Sequence, residues 1–160
     1  MSQQLSILPA TPDDAEIAAA ITSGAFDGAT VEQEIEKLLG RRLSAPTWQD
    51  LKARQVRREV ARSPEHCFLA RAAGQVVGCV TCRVDEELSR GYVLNLAVEG
   101  PFRGRGIGRK LLLAALDHFR GLGLKQAKIE ALAANPVGRG LYESIGFNEV
   151  ARQVHYVMEL

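Results

Sequence analysis

The chain has 160 residues, 46% hydrophobic and 24% charged, an ordinary globular balance at a length that suits a single domain over 1–160. Twenty basic residues against nineteen acidic ones leave a formal net charge of +1, which argues against coating nucleic acid or anionic membrane by bulk charge. No apolar stretch is long enough to span a bilayer, and Met1 to Ala10 lacks the basic and apolar regions of a leader peptide, so a cytoplasmic protein is expected.

In chain order, Leu5 to Leu8 reads as a short strand. Thr11-Pro12-Asp13-Asp14 is a helix start, with Thr11 as N-cap, Pro12 in the first turn and two acids beside it. Ile17, Ala20 and Ile21 give that helix its apolar stripe. Thr30 to Leu39 is a second helical pattern, with Val31, Ile35, Leu38 and Leu39 at helical spacing. Thr47 to Ala61 is a third, carrying Trp48 and Leu51. Arg54, Arg57, Arg58 and Arg62 recur on that third helix, where they read as a solvated face balanced by Glu59.

Strands follow. Cys67 to Ala72 and Gln75 to Val84 flank Ala73-Gly74, a hairpin turn, and Arg90 to Val98 follows an acidic turn at Asp85, Glu86 and Glu87. Gly106 to Arg120 is a long helix whose Ile107, Leu111, Leu112, Ala115, Leu116 and Phe119 share one face, and Gly121 and Gly123 end it. Lys125 to Ala133 reads as a strand, Pro136 to Ile145 as a short helix closed by Gly146, and Phe147 to Leu160 as a long final strand. The order is β-α-α-α-β-β-β-α-β-α-β, an α/β (α+β) arrangement with a mixed sheet flanked by helices.

The cysteines are Cys67, Cys79 and Cys82, an odd and low count that suits a reduced chain. Cys79 and Cys82 have C-x-x-C spacing, but in a strand residues three apart point to opposite faces, so they read as buried thiols rather than a redox pair. His66, His118 and His155 form no metal-ligand cluster in the sequence, and no metal is expected.

Nine of the 15 glycines fall between Gly100 and Gly146. The densest run, Pro101-Phe-Arg-Gly-Arg-Gly-Ile-Gly-Arg-Lys110, follows a strand and opens a helix, the placement a phosphate-binding turn requires. Backbone N–H groups at a helix start carry partial positive charge, glycines let an anion approach them, and Arg103, Arg105, Arg109 and Lys110 add four positive charges. The spacing fits neither a dinucleotide G-x-G-x-x-G nor a P-loop. It fits [RQ]-x-x-G-x-[GA], as Arg103-Gly-Arg-Gly106-Ile-Gly108. Downstream stands Asn135-Pro-Val-Gly-Arg-Gly-Leu-Tyr142-Glu-Ser-Ile-Gly146-Phe147.

With these motifs in this order, the chain resembles the GNAT-type N-acetyltransferase superfamily over Leu5 to Ala20 and Cys67 to Leu160. Gly24 to Arg62 carries no diagnostic motif. The resemblance implies a mostly antiparallel central sheet with two splayed central strands, and acetyl-CoA as cosubstrate. It implies that Arg103, Gly104, Arg105, Gly106, Ile107, Gly108 and Arg109 hold the pyrophosphate. It implies that pantetheine pairs with the strand end Leu96, Ala97 and Val98, and that a backbone N–H near Val98 bonds the thioester carbonyl. Tyr142 aligns with the family's general acid, and a phenol with a pKa near 10 keeps its proton to give at neutral pH. Asn135 would touch the pantetheine arm or cap the helix that Pro136 begins. Gly138 stands where the family usually has a small Ala.

Transfer to an amine also needs a base. Tyr92 to Val98 contains no acid or His, and Asn95 cannot take a proton at neutral pH. Glu130 and His155 are the candidates. The expected reaction moves acetyl from acetyl-CoA to a primary amine of a small molecule, a peptide N-terminus or a lysine, in a ternary complex. The alternative is a CoA-binding regulatory module with little turnover. A nucleic-acid protein using Arg103 to Lys110 ranks low, because the loop lacks interleaved aromatics beyond the neighbouring Phe102. No membrane partner is expected, and the chain would be a monomer or a homodimer. In a homodimer the final strand, with Val150, Val154, Tyr156 and Met158 spaced by even numbers, would pair across the interface.

Overall fold

The computed structural model describes residues 5–43 and 46–160. Five strands form one sheet in the order β1 (Leu5–Pro9), β2 (Phe68–Ala72), β3 (Gln75–Asp85), β4 (Arg90–Val98) and β5 (Gln126–Ile129). The first four pair antiparallel, and β4 pairs β5 in parallel. Three helices, α1 (Ala15–Ala25), α2 (Val31–Leu39) and α3 (Trp48–Arg62), lie between β1 and β2. Helix α4 (Ile107–Gly121) crosses from β4 to β5, as a parallel pair requires, and α5 (Pro136–Ile145) follows β5. No helix among the described residues is long and apolar enough to cross a membrane.

The sheet separates two apolar layers. On one side α4 packs on Ala70, Val77, Val80, Cys82 and Val93, with α5 contributing Leu141, Tyr142 and Ile145 at the margin. The six α4 residues read as its apolar face are the six it buries. On the other side α1 and α3 cover Leu69, Cys79 and Ala97 with Ala18, Ala19, Ile21, Val56 and Val60. Cys79 and Cys82 thus face opposite layers, and all three cysteines are free and buried.

Local signals place the ends. Thr11 and Thr47 each form a capping box, with Asp14 and Asp50, and Thr30 caps α2. At the β2–β3 turn both Ala73 and Gly74 have positive φ, the type I′ geometry that follows strand twist. Helix α4 ends in a Schellman pair, Leu124 N–H to Phe119 C=O at 3.1 Å and Gly123 N–H to Arg120 C=O at 2.9 Å.

Three expectations need correction. The buried stripe of α1 is Ala18, Ala19, Ile21 and Thr22, while Ile17 and Ala20 face solvent. An alanine-rich helix has several nearly equivalent faces, and small side chains let α1 approach the sheet closely. Strand β5 stops at Ile129 rather than Ala133, because β4 diverges from it there. Residues 147–160 form no strand: no neighbouring strand lies beside them, and an isolated strand has no ladder to join.

Gly91 on β4 is required by a close approach. A Cβ there would lie 2.4–2.5 Å from the Phe119 ring, inside the α4 layer. Gly91→Ala should therefore cost about 1–3 kcal/mol in urea unfolding. Gly24→Ala, with open space around it on α1, should be neutral or stabilising by up to ~1 kcal/mol.

Candidate active site

The site grows from a parting of strands. Strand β4 pairs with β3 along its length, but with β5 only from Arg90↔Gln126 to Val93↔Ile129. At the parting the β3–β4 register shifts, with Leu94 as the extra residue between Asn95, opposite Thr81, and Val93, opposite Cys82. Such a bulge twists the strand and re-aims its side chains. Beyond it, Glu99 N–H donates to Val77 C=O at 2.9 Å, and amides alternate edges along a strand. The N–H groups of Leu96 and Val98 therefore face the side that β5 has left. Ala97 turns its side chain into the α1–α3 layer instead.

The resulting cleft is lined by Ala25, Phe26 and Ala29 at and beyond the end of α1, Val93 to Leu96 on β4, Ile129 to Leu132 at and after the end of β5, the α5 cap Asn135, and Tyr142 of α5. At the end of β4 lies the glycine-arginine turn. Gly104 and Gly106 have φ of +74° and +75°, the left-handed region that other residues avoid. Gly106 is the N-cap of α4 and offers no side-chain cap, so the amides of Ile107, Gly108 and Arg109 are left to an external acceptor. Arg105 and Lys110 are exposed, and Arg109 donates to Ser144 Oγ on α5 at 3.0 Å. Arg103 is committed differently. Its guanidinium donates to Val98 C=O and to Ala25 C=O, each at 3.0 Å, and so ties the turn to β4 and α1.

Tyr142 lines the cleft half-buried, and burial raises its phenol above the ordinary value. Asn135 caps α5, its Oδ1 accepting from Gly138 N–H at 3.1 Å, while lining the cleft as well. A Cβ at Gly138 would sit 2.9 Å from Asn135 Nδ2 and 3.3 Å from Tyr142 Oη. The departure to glycine therefore leaves room for the Asn135 cap and the Tyr142 hydroxyl to approach each other.

Behind Asn95 lies a polar cluster that sequence reasoning missed. Asn95 is buried on β4, and its Nδ2 donates to Glu59 Oε2 at 2.6 Å and to Thr81 Oγ1 at 2.8 Å. Thr81 donates to the same Glu59 oxygen at 2.8 Å, and Lys52 donates to Asn95 Oδ1 at 3.3 Å. The Lys52 ammonium lies 4.9 Å from the centroid of the cleft residue Phe26; burial lowers its pKa, with Glu59 opposing. The available signal was Glu59 set between the core residues Val56 and Val60 on α3, which points it at the sheet rather than at solvent.

The two candidate bases end in different places. Glu130 lines the cleft, with its exposed carboxylate 2.6 Å from Lys128 Nζ. His155 lies on the exposed segment 147–160, outside the cleft. The histidines are less scattered than in sequence, since His66 Nδ1 and His118 Nε2 lie 2.8 Å apart. Among the described residues, however, no group of three His, Cys, Asp or Glu is placed to hold a metal ion. Burial pushes Cys67 up to about 11 and Cys79 up to about 12, which makes them inert thiols at neutral pH. Arg54, Arg57, Arg58 and Arg62 are exposed, with Arg57 paired to Glu16 at 2.8 Å. Trp48 is buried.

The acetyltransferase (GNAT) family matches residues 32–147 of the chain. The chain is 34% identical over 97 residues to an N-alpha-acetyltransferase MAK3 of Arabidopsis thaliana, covering 59% of this chain and 51% of that one. It is 37% identical over 115 residues to a mycothiol acetyltransferase of Thermobispora bispora, covering 69% of this chain and 38% of that one. It therefore spans about half the length, or less, of these relatives. In fold it is similar to the PaiA N-acetyltransferase of Thermoplasma acidophilum, crystallised in complex with coenzyme A. That likeness has a TM-score of 0.71 at 19% identity and covers 91% of this chain and 90% of that one.

The Asn95 cluster can be tested without any ligand. Glu59→Leu removes the shared acceptor of two buried donors and should cost about 1–3 kcal/mol by urea unfolding. Adding Thr81→Val, which deletes one stranded donor, should recover part of that loss.

Proposed function

The chain belongs to the acetyltransferase (GNAT) family, and from that premise we propose that it transfers the acetyl group of acetyl-CoA to a primary amine by direct attack in a ternary complex. The observation that carries this reading is the pair of unpartnered strand amides, Leu96 and Val98, facing the gap where β5 leaves β4. An extended pantetheine arm fits that edge as a further strand would, with its pyrophosphate at the start of α4. The fit rests on the left-handed Gly104 and Gly106, the uncapped amides of Ile107, Gly108 and Arg109, and the exposed cations Arg105 and Lys110. In this reading Arg103 positions the turn through its guanidinium bonds to two carbonyls, and its own amide is donated to Gly100 C=O at 3.2 Å.

The reaction forms a C–N bond and breaks a C–S bond. Negative charge develops on the thioester oxygen, where the Val98 N–H would donate. The departing sulfur needs a proton, and Tyr142, which lines the cleft and whose phenol burial raises further, would give it. The amine must lose a proton, and Glu130 is the carboxylate lining the cleft that would take it, directly or through water. Asn95 shapes the wall and, held by Glu59, Thr81 and Lys52, presents a fixed amide there.

The relatives named N-alpha-acetyltransferase favour a peptide N-terminal amine as acceptor, and the one named for mycothiol keeps non-peptide acceptors in view. Three free, buried cysteines suit the reducing cytoplasm, where we place the reaction.

The test is amine-dependent release of CoA from acetyl-CoA, across peptides with free N-termini, lysine side chains and small amines. Turnover with at least one class is expected, and CoA binding without turnover across the panel would instead favour a regulatory module. Tyr142→Phe should lower kcat by about 10²-fold or more with CoA affinity nearly unchanged. Because the Tyr142 phenol lies above its ordinary value, the wild-type rate should not fall from its deprotonation until beyond pH ~10. Wild-type turnover by Tyr142→Phe would remove it from the chemistry.

A further inference from the structure

Lys52 is a cation without a counterion. It stands part-buried on α3, and its ammonium donates to Gln55 Oε1 at 3.0 Å and to Asn95 Oδ1 at 3.3 Å. The Phe26 ring lies against it, with the centroid 4.9 Å away. All three neighbours are neutral. Among the described residues no carboxylate lies within 4 Å of this ammonium, whereas Lys37 and Lys128 each pair with a glutamate. Glu59 and Glu32 act on Lys52 only at longer range. Glu59 is also fully engaged: its Oε2 accepts from Asn95 and Thr81, and its Oε1 accepts from Gln55 at 2.8 Å. Burial disfavours a charge that nothing nearby answers, and it draws this lysine below its ordinary pKa.

The ammonium borders the cleft. Phe26 and Asn95, which flank it, are both lining residues. Along β4 it lies level with Asn95, three residues short of Val98, where the thioester oxygen is placed. Three residues of strand span about 10 Å. Lys52 thus stands back from the reacting carbon, at the reach of a substituent on the acceptor. On the wall that follows β5 stands Glu130, exposed and held by Lys128. The cleft therefore offers a carboxylate to the acceptor's amine and an ammonium to an anionic group beside that amine.

We propose that Lys52 selects the acceptor by binding a carboxylate carried within two residues of the reacting amine, so that acidic peptide N-termini are the preferred acceptors. The inference rests on the acetyl-transfer reading of the same cleft and adds to it which acceptors are favoured. A docked carboxylate supplies the missing counterion. The Phe26 ring gives its aliphatic stem an apolar surface, and Asn95, fixed by Glu59 and Thr81, steadies the ammonium. An acceptor with a neutral side chain leaves Lys52 as it stands.

Binding is read without turnover, on protein saturated with CoA, from the fluorescence anisotropy of peptides labelled at the C-terminus. The peptides have free N-termini and differ only as Glu or Gln at the first or second residue. The Glu member of at least one pair should bind about tenfold more tightly. Lys52→Met should bring the two members to within about twofold of each other, and Lys52→Arg should keep the preference. CoA affinity and the far-UV spectrum report whether each variant is folded. Equal binding of the Glu and Gln peptides by the unaltered chain would overturn the proposal, and so would a preference that survives Lys52→Met. Free glutamate competing as well as the Glu peptide would overturn it too, by making the selected acceptor an amino acid. Failure here is separable from failure of the transfer reading. CoA release with no Glu preference removes only the role of Lys52, whereas acidic-peptide binding with no CoA release upholds that role and removes the turnover.

Discussion

The parting of β4 from β5 is the constraint on which the rest of the site depends. A parallel pair must be joined by a crossover, and here α4 supplies it. The crossover seats β5 against only the first half of β4, the half in which Gly91 lets the Phe119 ring come down on the sheet. Past Val93 the bulge at Leu94 turns β4, and β5 no longer follows. The second half of β4 remains committed to β3 and cannot close the gap. Its outward amides then need water or a ligand, since a backbone N–H left dry costs the free energy of a lost hydrogen bond. The cleft is thus a consequence of strand geometry before any catalytic side chain is considered.

The same constraint explains how a chain of net charge +1 can present an anion site. The turn after β4 gathers four of the twenty basic residues in ten positions, and the start of α4 adds its own partial charge there. One of the four is spent on architecture. Arg103 bonds the carbonyl at the end of β4 and the carbonyl at the end of α1, so the turn cannot move without moving both walls of the cleft. That leaves amides and exposed side chains free to meet a compact anion. It also couples the anion site mechanically to Val98, the strand end nearest it.

What could be read from the sequence was what is local. The α4 face, the N-cap at Thr11, the turn at Ala73-Gly74 and the glycine-arginine loop all depend on residues within about one or two turns of each other. Cys79 and Cys82 could be assigned to opposite faces because strand alternation alone decides it. The Asn95 cluster could not be found that way. Its hydrogen bonds join residues 36 and 14 positions apart, and Glu59 looks in sequence like one more charge among arginines. The α1 stripe was misjudged for a different reason: where alanine recurs on several sides of a helix, periodicity does not single out the side that packs. Helix α2 makes the complementary point, for its Leu38 has helical spacing yet stays 70% exposed.

The strand readings at the C-terminal end failed on the nature of β structure itself. Alternation states which residues share a face, but a strand exists only with a partner, and the partner is not written in the strand. Ala131 and Ala133 continue the face of Ala127 and Ile129, yet residues 130–133 lack a neighbour, because β4 has already turned away. Residues 154–160 alternate too, and nothing in their own chain lies beside them. The two failures share one cause, the lack of a partner strand beside either segment. Helix hydrogen bonds close within the segment, so α4 and α5 could be complete where β5 is not. The open edge is therefore where this sequence, read alone, is bound to be ambiguous.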